Sequence, residues 1–374
     1  MEARKFFPLG APVPREDIVG REELLKTLEV RLLEGQSVML TSPRRTGKTS
    51  VAHEVIRRLK TEDCYTVFVD AFKPVTKREF ATDIIDACLE NRTGIKKTTD
   101  ALKRGIKSLT SSAKLTFRVD DLELDILLQV GNEEEGKLLN YALELPEELG
   151  LKDKKQVLVV FDEFQDCGKF DGGDIFKVMR SHFQNHRNAA YLFLGSKKGM
   201  MEELFSHDRE AFFRFATIVP VPPIPEEAWF KYIQHKFEQK HITAPDLPVQ
   251  ELVRLSGGHP QDTMHVCSET YYSMLEAAIK TLSAEAVRVG YERAMSSLVP
   301  VFDAILDDIG HNLQVRKVLK KMAQGSAIYS GENRPADVKR AVDMLLANAI
   351  IEKVARGTYN FTEPMFKDYI LRYG

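Results

Sequence analysis

The sequence lacks the features that would assign a function at a glance. Among its 374 residues are only four cysteines, Cys64, Cys88, Cys167 and Cys267, and no two of them have the spacing of metal ligands. It has no excess of one charge, because 53 basic and 55 acidic residues leave a formal net charge of -2, so any nucleic-acid-binding surface must be local. It has no apolar run of membrane-spanning length and no apolar leader-like segment near residue 1. We therefore expect a cytoplasmic protein with free, buried thiols and no membrane partner.

Five short apolar runs are the main structural signal. Each is continuous rather than alternating, which is typical of strands buried on both faces of a parallel sheet. Helical patterns separate the runs, and this order predicts an α/β core with a five-stranded parallel sheet. The runs cover residues 37–42, 65–70, 157–162, 191–196 and 216–221.

An insertion of about residues 91–155 interrupts this alternation. It begins with a basic stretch, 96–114, for which nucleic-acid contact and a solvated loop are both open interpretations. Alternating apolar residues on either side of Asp120 and Asp121 predict a β-hairpin. A helix from about residue 133 to 145 should follow, ended by Pro146.

The proline-rich segment 221–227 predicts a domain boundary. Helical patterns follow it, and the last section has the order helix, helix, two short strands, helix, which is typical of a winged helix-turn-helix. We therefore expect a nucleotide-binding core over residues 1–222, an α-helical lid over 223–298 and a winged-helix domain over 299–374.

The stretch MLTSPRRTGKTSVAHEVI, residues 39–56, carries the strongest chemical signal. From Ser42 to Thr49 it matches the phosphate-loop pattern G-x-x-x-x-G-K-[ST] except that serine replaces the first glycine, a substitution that is strained if that position requires a positive φ. Gly47 allows close backbone approach, Lys48 neutralises phosphate charge, and Thr49 offers its hydroxyl to Mg²⁺. A chance GKT at a helix start is the alternative, but an apolar strand before it and a helix after it favour the phosphate loop. The predicted nucleotide-binding residues of this loop are Ser42, Pro43, Arg44, Arg45, Thr46, Gly47, Lys48, Thr49 and Ser50.

A second signal is the pair of acids that ends the strand VLVVFDEFQD. Carboxylates at the carboxyl end of a buried strand lie where open α/β sheets bind nucleotides. Asp162 is the candidate Mg²⁺ residue, and Glu163 would orient or deprotonate the attacking water. Ser196 ends another core strand and would position water or sense the γ-phosphate. The alternatives are solvated acids and a simple strand-ending turn.

Taken in order, DIVGREELLKTL, TSPRRTGKTSV, VLVVFDEFQD, YLFLGS, FFRFATIVPVPPIPEEAW and SGGHPQDTM resemble the archaeal and prokaryotic ATPases of the AAA+/STAND P-loop superfamily. The resemblance implies that Gly20 and Arg21 lie near the adenine and ribose, and that Gly258 and Pro260 belong to a lid element that packs on the nucleotide. It also implies that Arg214 reaches the γ-phosphate of a neighbouring subunit, unless it pairs with Glu210 in its own chain.

Two smaller features leave alternatives open. Arg44 and Arg45 could contact phosphate, a partner subunit or solvent. His182 and His186 lie one helical turn apart, but with no third ligand nearby in sequence we expect a solvated face rather than a metal site.

The C-terminal section is locally basic. In a winged helix, Lys339 and Arg340 would lie at the start of the recognition helix and Arg356 on the wing, which makes them candidates for DNA contact. A winged helix used only for protein packing is the alternative.

Together these signals predict a Mg²⁺-dependent ATPase that binds ATP and ADP, with Lys48, Asp162, Glu163, Ser196 and Arg214 as its catalytic group. We expect homo-oligomers on ATP binding, with double-stranded DNA as a candidate partner. The competing hypothesis is a STAND-type signalling or defence switch whose winged helix binds a protein partner.

Overall fold

The computed structural model describes residues 6–93, 113–119, 122–128, 132–170, 174–310, 312–329, 334–355 and 357–374. The strands are β1 Val38–Thr41, β2 Tyr65–Asp70, β3 Ala113–Val119, β4 Leu122–Leu128, β5 Val157–Asp162, β6 Ala189–Leu194, β7 Thr217–Pro220, β8 Ile351–Ala355 and β9 Thr358–Phe361. The α-helices are α1 Glu22–Leu33, α2 Lys48–Thr61, α3 Lys77–Thr93, α4 Asn132–Asp153, α5 Asp174–Phe183, α6 Lys198–Ser206, α7 Glu226–Glu238, α8 Asp246–Ser256, α9 Pro260–Glu276, α10 Ala284–Asp308, α11 Leu313–Ala323, α12 Pro335–Ala347 and α13 Pro364–Tyr373. Short 3-10 helices cover Arg15–Asp17 and Phe164–Lys169.

The central sheet has five parallel strands, as predicted. Their order in the sheet is β2-β5-β6-β1-β7. The strands β1, β5 and β6 are buried along their whole length, because helices cover both faces of the sheet. This double coverage explains why their sequences are continuous apolar runs rather than alternating ones. The edge strand β7 is largely exposed.

The two faces of the sheet have different cores. On one face, α1 and α2 contribute aliphatic side chains, such as Leu28 and Val55, against Val38 and Leu192. On the other, α3, α4 and α5 cover a core rich in phenylalanine, in which Phe161 is stacked on Phe193 with ring centroids 6.1 Å apart. Because all five strands are parallel, their carboxyl ends lie at one edge of the sheet between these two cores.

The predicted hairpin is confirmed: β3 and β4 pair antiparallel from Ala113↔Leu128 to Val119↔Leu122. Its turn at residues 120–121 and the basic stretch before residue 113 lie outside the described residues. The following helix was predicted wrongly, because α4 continues through Pro146 to Asp153. Buried leucines on both sides of the proline, among them Leu143 and Leu149, pack into the core and offset the roughly 3 kcal/mol that an interior proline costs.

The C-terminal half consists of α7–α10 followed by the winged-helix arrangement α11, α12, β8, β9 and α13. The lid helices and the winged helix share one hydrophobic core, which also includes Phe7 from the N-terminal segment. The 25-residue helix α10 is continuous through the boundary expected at residue 298, with Pro300 inside it.

Among the described residues, no helix combines the length and the apolar character needed to cross a membrane. All four cysteines are buried and unpaired, and burial raises the pKa of each thiol.

Candidate active site

A cavity of about 480 Å³ lies where the carboxyl ends of the strands meet the lid. Its volume is in the usual range for a small-molecule site. It is lined by residues 8–13, 17–19 and 45–51, together with Arg21, Glu163, Ser196, Ile224, Trp229, Pro260, Gln261 and Met264.

The loop between β1 and α2 forms one wall of this cavity. Gly47 has φ 91°, the left-handed conformation that glycine adopts at little cost, and an added Cβ would meet no atom within 4 Å. Ser42 is not among the residues with positive φ, so serine causes no backbone strain there. Its hydroxyl lies 2.5 Å from that of Thr46, and the Thr46 hydroxyl also donates to the Pro43 carbonyl at 3.0 Å. Ser42 therefore stabilises the loop from inside rather than lining the cavity.

Lys48 begins α2 and is buried. Its ammonium donates to the carbonyl oxygens of Ser42 at 3.0 Å and Pro43 at 2.6 Å. Burial lowers the pKa of Lys48 to about 8, although the negative charges of Glu163 and Asp162 oppose this. An anion in the cavity would stabilise the protonated form of this lysine.

Thr49 lines the cavity, and Asp162 lies behind it within hydrogen-bonding distance. The Thr49 hydroxyl donates to Asp162 Oδ2 at 2.8 Å, and the backbone N–H of Glu163 donates to Oδ1 at 3.0 Å. Burial raises the pKa of Asp162, an effect that a cation would reverse. A hydroxyl and a carboxylate are oxygen ligands of the kind Mg²⁺ takes beside substrate phosphates, so these two residues fit that ion. Within the described ranges, no cluster of three or more His, Cys, Asp or Glu residues could hold a metal alone.

Glu163 follows β5 with φ 50° and ψ 43°, a left-handed conformation that turns the chain sharply at the end of the strand. Its Oε2 accepts hydrogen bonds from Ser196 Oγ at 2.7 Å and from the Ser196 N–H at 3.1 Å. A third donor to the same oxygen is Gln165 Nε2 at 2.6 Å. Burial raises the pKa of Glu163, but these hydrogen bonds and the Lys48 charge outweigh it, so the pKa lies below its ordinary value.

Gly20 and Arg21 connect the core to the lid. Gly20 has φ +62°, and a Cβ there would lie 3.0 Å from the Ala228 Cβ of α7. Buried Arg21 donates to the Pro222 carbonyl and, at 3.2 Å, to the Thr46 carbonyl of the phosphate loop. Burial lowers the pKa of Arg21 to about 10. Arg21 lines the cavity, whereas Gly20 acts as a packing position behind it.

The lid contributes the opposite wall. Pro260 begins α9 and lines the cavity, whereas Gly258 does not; the Gly258 carbonyl accepts a hydrogen bond from Trp229 Nε1 at 3.0 Å. Trp229 is 1% exposed and packs within the lid. His259 caps α9 by accepting from the Asp262 N–H at 3.4 Å.

The two loop arginines differ in position. Arg44 is exposed and does not line the cavity. Arg45 lines it, has φ 61°, and forms a 2.5 Å ion pair with Glu363 at the N-terminus of α13. The phosphate loop is thus in direct contact with the winged helix.

Arg214 is not brought to the cavity of its own chain. It lies before β7, near the amino end of the sheet, where its exposed guanidinium stacks 5.1 Å from the Phe213 ring. The alternative pairing with Glu210 is wrong, since within the described part of the chain Arg214 forms no ion pair.

The remaining candidates lie elsewhere. Lys339 and Arg340 are exposed on α12, where Arg340 pairs with Asp337 at 2.5 Å; Arg356 lies outside the described residues. The expectation of a solvated face at His182 and His186 is wrong, because both imidazoles contact Glu144 and the His186 side chain is 1% exposed. These histidines fasten α5 and the turn that follows it to α4, because Glu144 on α4 contacts both imidazoles.

Two contributions to the site were not predicted. Residues 8–13 cross the cavity, and the Val13 N–H donates to Ser50 Oγ at 3.1 Å. This segment has no periodic pattern. Its apolar, proline-rich composition is the only sequence signal that distinguishes it from a solvent-exposed segment. Gln165 also was not singled out, although it lies two residues after Glu163.

The comparisons agree with this geometry. Residues 18–266 match a family model described as an ATPase domain predominantly from Archaea. Curated proteins give no match. Among solved structures, a Walker-type ATPase of Pyrococcus abyssi has a TM-score of 0.69 and 17% identity over 98% of this chain and 99% of that one. The ORC2 protein of Aeropyrum pernix has a TM-score of 0.60 and 12% identity, with 99% and 98% covered. The ORC1 protein of the same organism, solved in complex with DNA, has a TM-score of 0.52 and 14% identity, with 96% and 93% covered. At such identities, these likenesses show a shared fold.

Proposed function

This chain belongs to the ATPase family found predominantly in Archaea, with an AAA+ P-loop fold, and from that premise we propose that it hydrolyses ATP with Mg²⁺ in the cavity described above. One observation carries the proposal: Lys48, the Thr49–Asp162 pair and the Glu163–Ser196 pair converge on one cavity. Each is the residue type that phosphoryl transfer to water requires at its place.

The proposed binding mode follows the walls of the cavity. The phosphates lie along the phosphate loop at the start of α2, where backbone N–H groups and the helix dipole favour anions. The base lies against the apolar wall formed by Ile18, Val19, Ile224 and Met264. Residues 8–13 exclude water from it.

In the proposed reaction, Glu163 accepts a proton from water as the water oxygen forms a bond to the γ-phosphorus. The bond between that phosphorus and the β–γ bridging oxygen breaks, and its electron pair leaves with ADP. Lys48 stabilises the charge on the phosphate oxygens. Mg²⁺, held by Thr49 and Asp162, would act as a Lewis acid toward those oxygens.

The test compares ATP binding and turnover in the wild type, Lys48→Ala and Glu163→Gln. We expect Lys48→Ala to lose nucleotide affinity, and Glu163→Gln to retain ATP while losing about 10²- to 10⁴-fold in kcat, the usual contribution of a general base. Exposed Lys26→Ala on α1 serves as the control and should leave both unchanged. Equal turnover by Glu163→Gln and the wild type would exclude this mechanism.

We propose that the chain divides into a core (1–222), a lid (223–298) and a winged-helix part (299–374). We further propose that several copies of this chain assemble into a homo-oligomer when ATP binds. Arg214 is exposed and remote from the cavity of its own chain, and we propose that it acts at the site of another subunit.

DNA binding is a second candidate function, favoured by the exposure of Lys339 and Arg340 on the second helix of the winged-helix arrangement. The test is the salt dependence of binding to mixed-sequence duplex DNA. Replacing both residues by alanine should weaken binding and reduce the salt slope by about 2, one for each phosphate contact. Exposed Lys280→Ala, in the lid, is the control. Failure of the wild type to bind at low salt would favour the switch hypothesis, in which this surface binds a protein.

A further inference from the structure

We propose that Gln165 is a positioning residue of this site: it holds one carboxylate oxygen of Glu163, Oε2, and leaves Oε1 as the atom that takes the proton from water. The inference rests on the proposed ATP hydrolysis for the role of Oε1. The hydrogen bond between Gln165 and Glu163 is a structural observation and does not depend on that proposal.

The hydrogen bonds of Glu163 are distributed unequally between its two oxygens. Oε2 accepts from Gln165 Nε2, Ser196 Oγ and the Ser196 N–H at 2.6, 2.7 and 3.1 Å. Among the described residues, no donor reaches Oε1. Because Glu163 lines the cavity, the free oxygen is the one available to a water molecule there.

The orientation of the Gln165 amide follows from the same contact. A carboxylate only accepts hydrogen bonds, so the NH₂ group of the amide must face it. The consequence is that Gln165 Oε1 is buried with no partner in the described part of the chain. A buried acceptor without a partner costs free energy, and such a cost is retained most readily at a functional site.

The surroundings of Gln165 are built to hold it in this position. The side chain is 6% exposed. A Cβ on Gly195 would lie less than 3.0 Å from Gln165 Oε1, so the amide fits only because residue 195 has no side chain. The preceding residue, Phe164, packs on Phe193 and Phe212 with ring centroids 4.6 and 5.1 Å away. The short helix that carries Gln165 is therefore fixed by the aromatic core.

The first test does not depend on turnover. Selective ¹³C labelling of glutamate carboxyl groups, with the Glu163 signal assigned by its loss in Glu163→Gln, reports the hydrogen bonding of this carboxylate through its chemical shift at fixed pH. Gln165→Met conserves volume and removes the donor, so the Glu163 signal should move. Exposed Gln184→Met, directly after α5, is the matched control and should leave the signal in place. An unmoved Glu163 signal in Gln165→Met would overturn the proposal.

The second test separates positioning from scaffolding. In the full-length protein, Gln165→Met should lower kcat about 10- to 100-fold, the rate equivalent of one hydrogen bond to a charged group, and change KM by less than about 3-fold. In a Glu163→Gln background, the same substitution should cause no further loss, because the group on which it acts is gone.

The outcomes are distinct. An equal loss from Gln165→Met in both backgrounds would identify a structural residue and overturn the inference. If wild-type turnover is absent while the Glu163 NMR signal moves as expected, the proposed hydrolysis fails and the proton-accepting role of Oε1 fails with it. The Gln165–Glu163 contact is then retained as a structural finding.

Discussion

The ion pair between Arg45 and Glu363 yields the most specific prediction, because it joins the phosphate loop to the winged helix. The Arg45 side chain is 36% exposed and that of Glu363 is 11% exposed. Exposed pairs contribute about 0–1 kcal/mol, whereas removing one partner of a buried pair costs about 3–5 kcal/mol. For this half-buried pair we expect about 1–2 kcal/mol, equivalent to a 5- to 30-fold change in a local opening equilibrium.

The assay is hydrogen exchange at the Met365 amide. This N–H donates to Asp262 Oδ2 at 3.0 Å across the lid, two residues after Glu363, so it reports directly on separation of α13 from the lid. Exchange at this amide should be about 5- to 30-fold faster in Arg45→Gln and in Glu363→Gln. Glutamine is preferable to glycine at position 45, because glycine would also relieve the positive φ of 61°.

The neighbouring Arg44→Gln is the matched control, since Arg44 is exposed and has no ion pair among the described residues. The double variant should exchange no faster than either single variant, because both remove the same interaction. Additive effects of the two substitutions, or an equal effect of Arg44→Gln, would refute the coupling between loop and winged helix.

Three further predictions concern the same domain. Because the pKa of free Lys48 is about 8 and bound phosphate would raise it, ATP affinity should fall as pH rises above 8, and Lys48→Arg should flatten this dependence in a fluorescent-nucleotide titration. Hydrogen bonds from Arg57 and Arg58 lower the pKa of Glu54 from 4.5 to about 2, so its stabilisation is complete above pH 4.5 and is lost as pH falls toward 2. We expect Glu54→Gln to destabilise the protein by about 2 kcal/mol in urea at pH 7, with a difference that shrinks below pH 4.5; a constant difference would contradict this. If Arg214 acts on a neighbouring subunit, mixing Arg214→Ala with Lys48→Ala subunits should restore part of the ATPase activity, and no recovery from an intact assembly would argue against that role.

Much of the core could be predicted because its signals are local. The five strands are continuous apolar runs, and each gave a correct position for a strand in the sheet. Asp162 and Glu163 end one of these runs, so their place at the edge of the sheet follows from the direction of the strand. The position of the loop residues Thr46 to Thr49 could be predicted in the same way, because they come after strand β1 at the same edge of the sheet.

The errors arose where tertiary contacts override a local rule. Pro146 signals the end of a helix, but the core on both sides of it keeps α4 continuous. His182 and His186 read as solvated because Glu144, their common partner, is 38 and 42 residues away in sequence. The covering of the cavity by residues 8–13 and the pairing of Arg45 with Glu363 depend on the packing of distant segments. No periodic pattern in the sequence indicates such contacts between distant segments.

The long helix α10 has a mechanical consequence. Its 25 residues correspond to a rod of about 37 Å that begins in the lid and ends beside the winged helix. The last helix, α13, is braced against this rod, because Tyr291 donates to Asp368 at 2.8 Å and Arg372 pairs with Glu292 at 2.7 Å. The rod is therefore a lever: a 10° tilt at its lid end would displace the far end by about 6 Å. A small rearrangement of the lid would therefore become a displacement of several ångströms beside the winged helix.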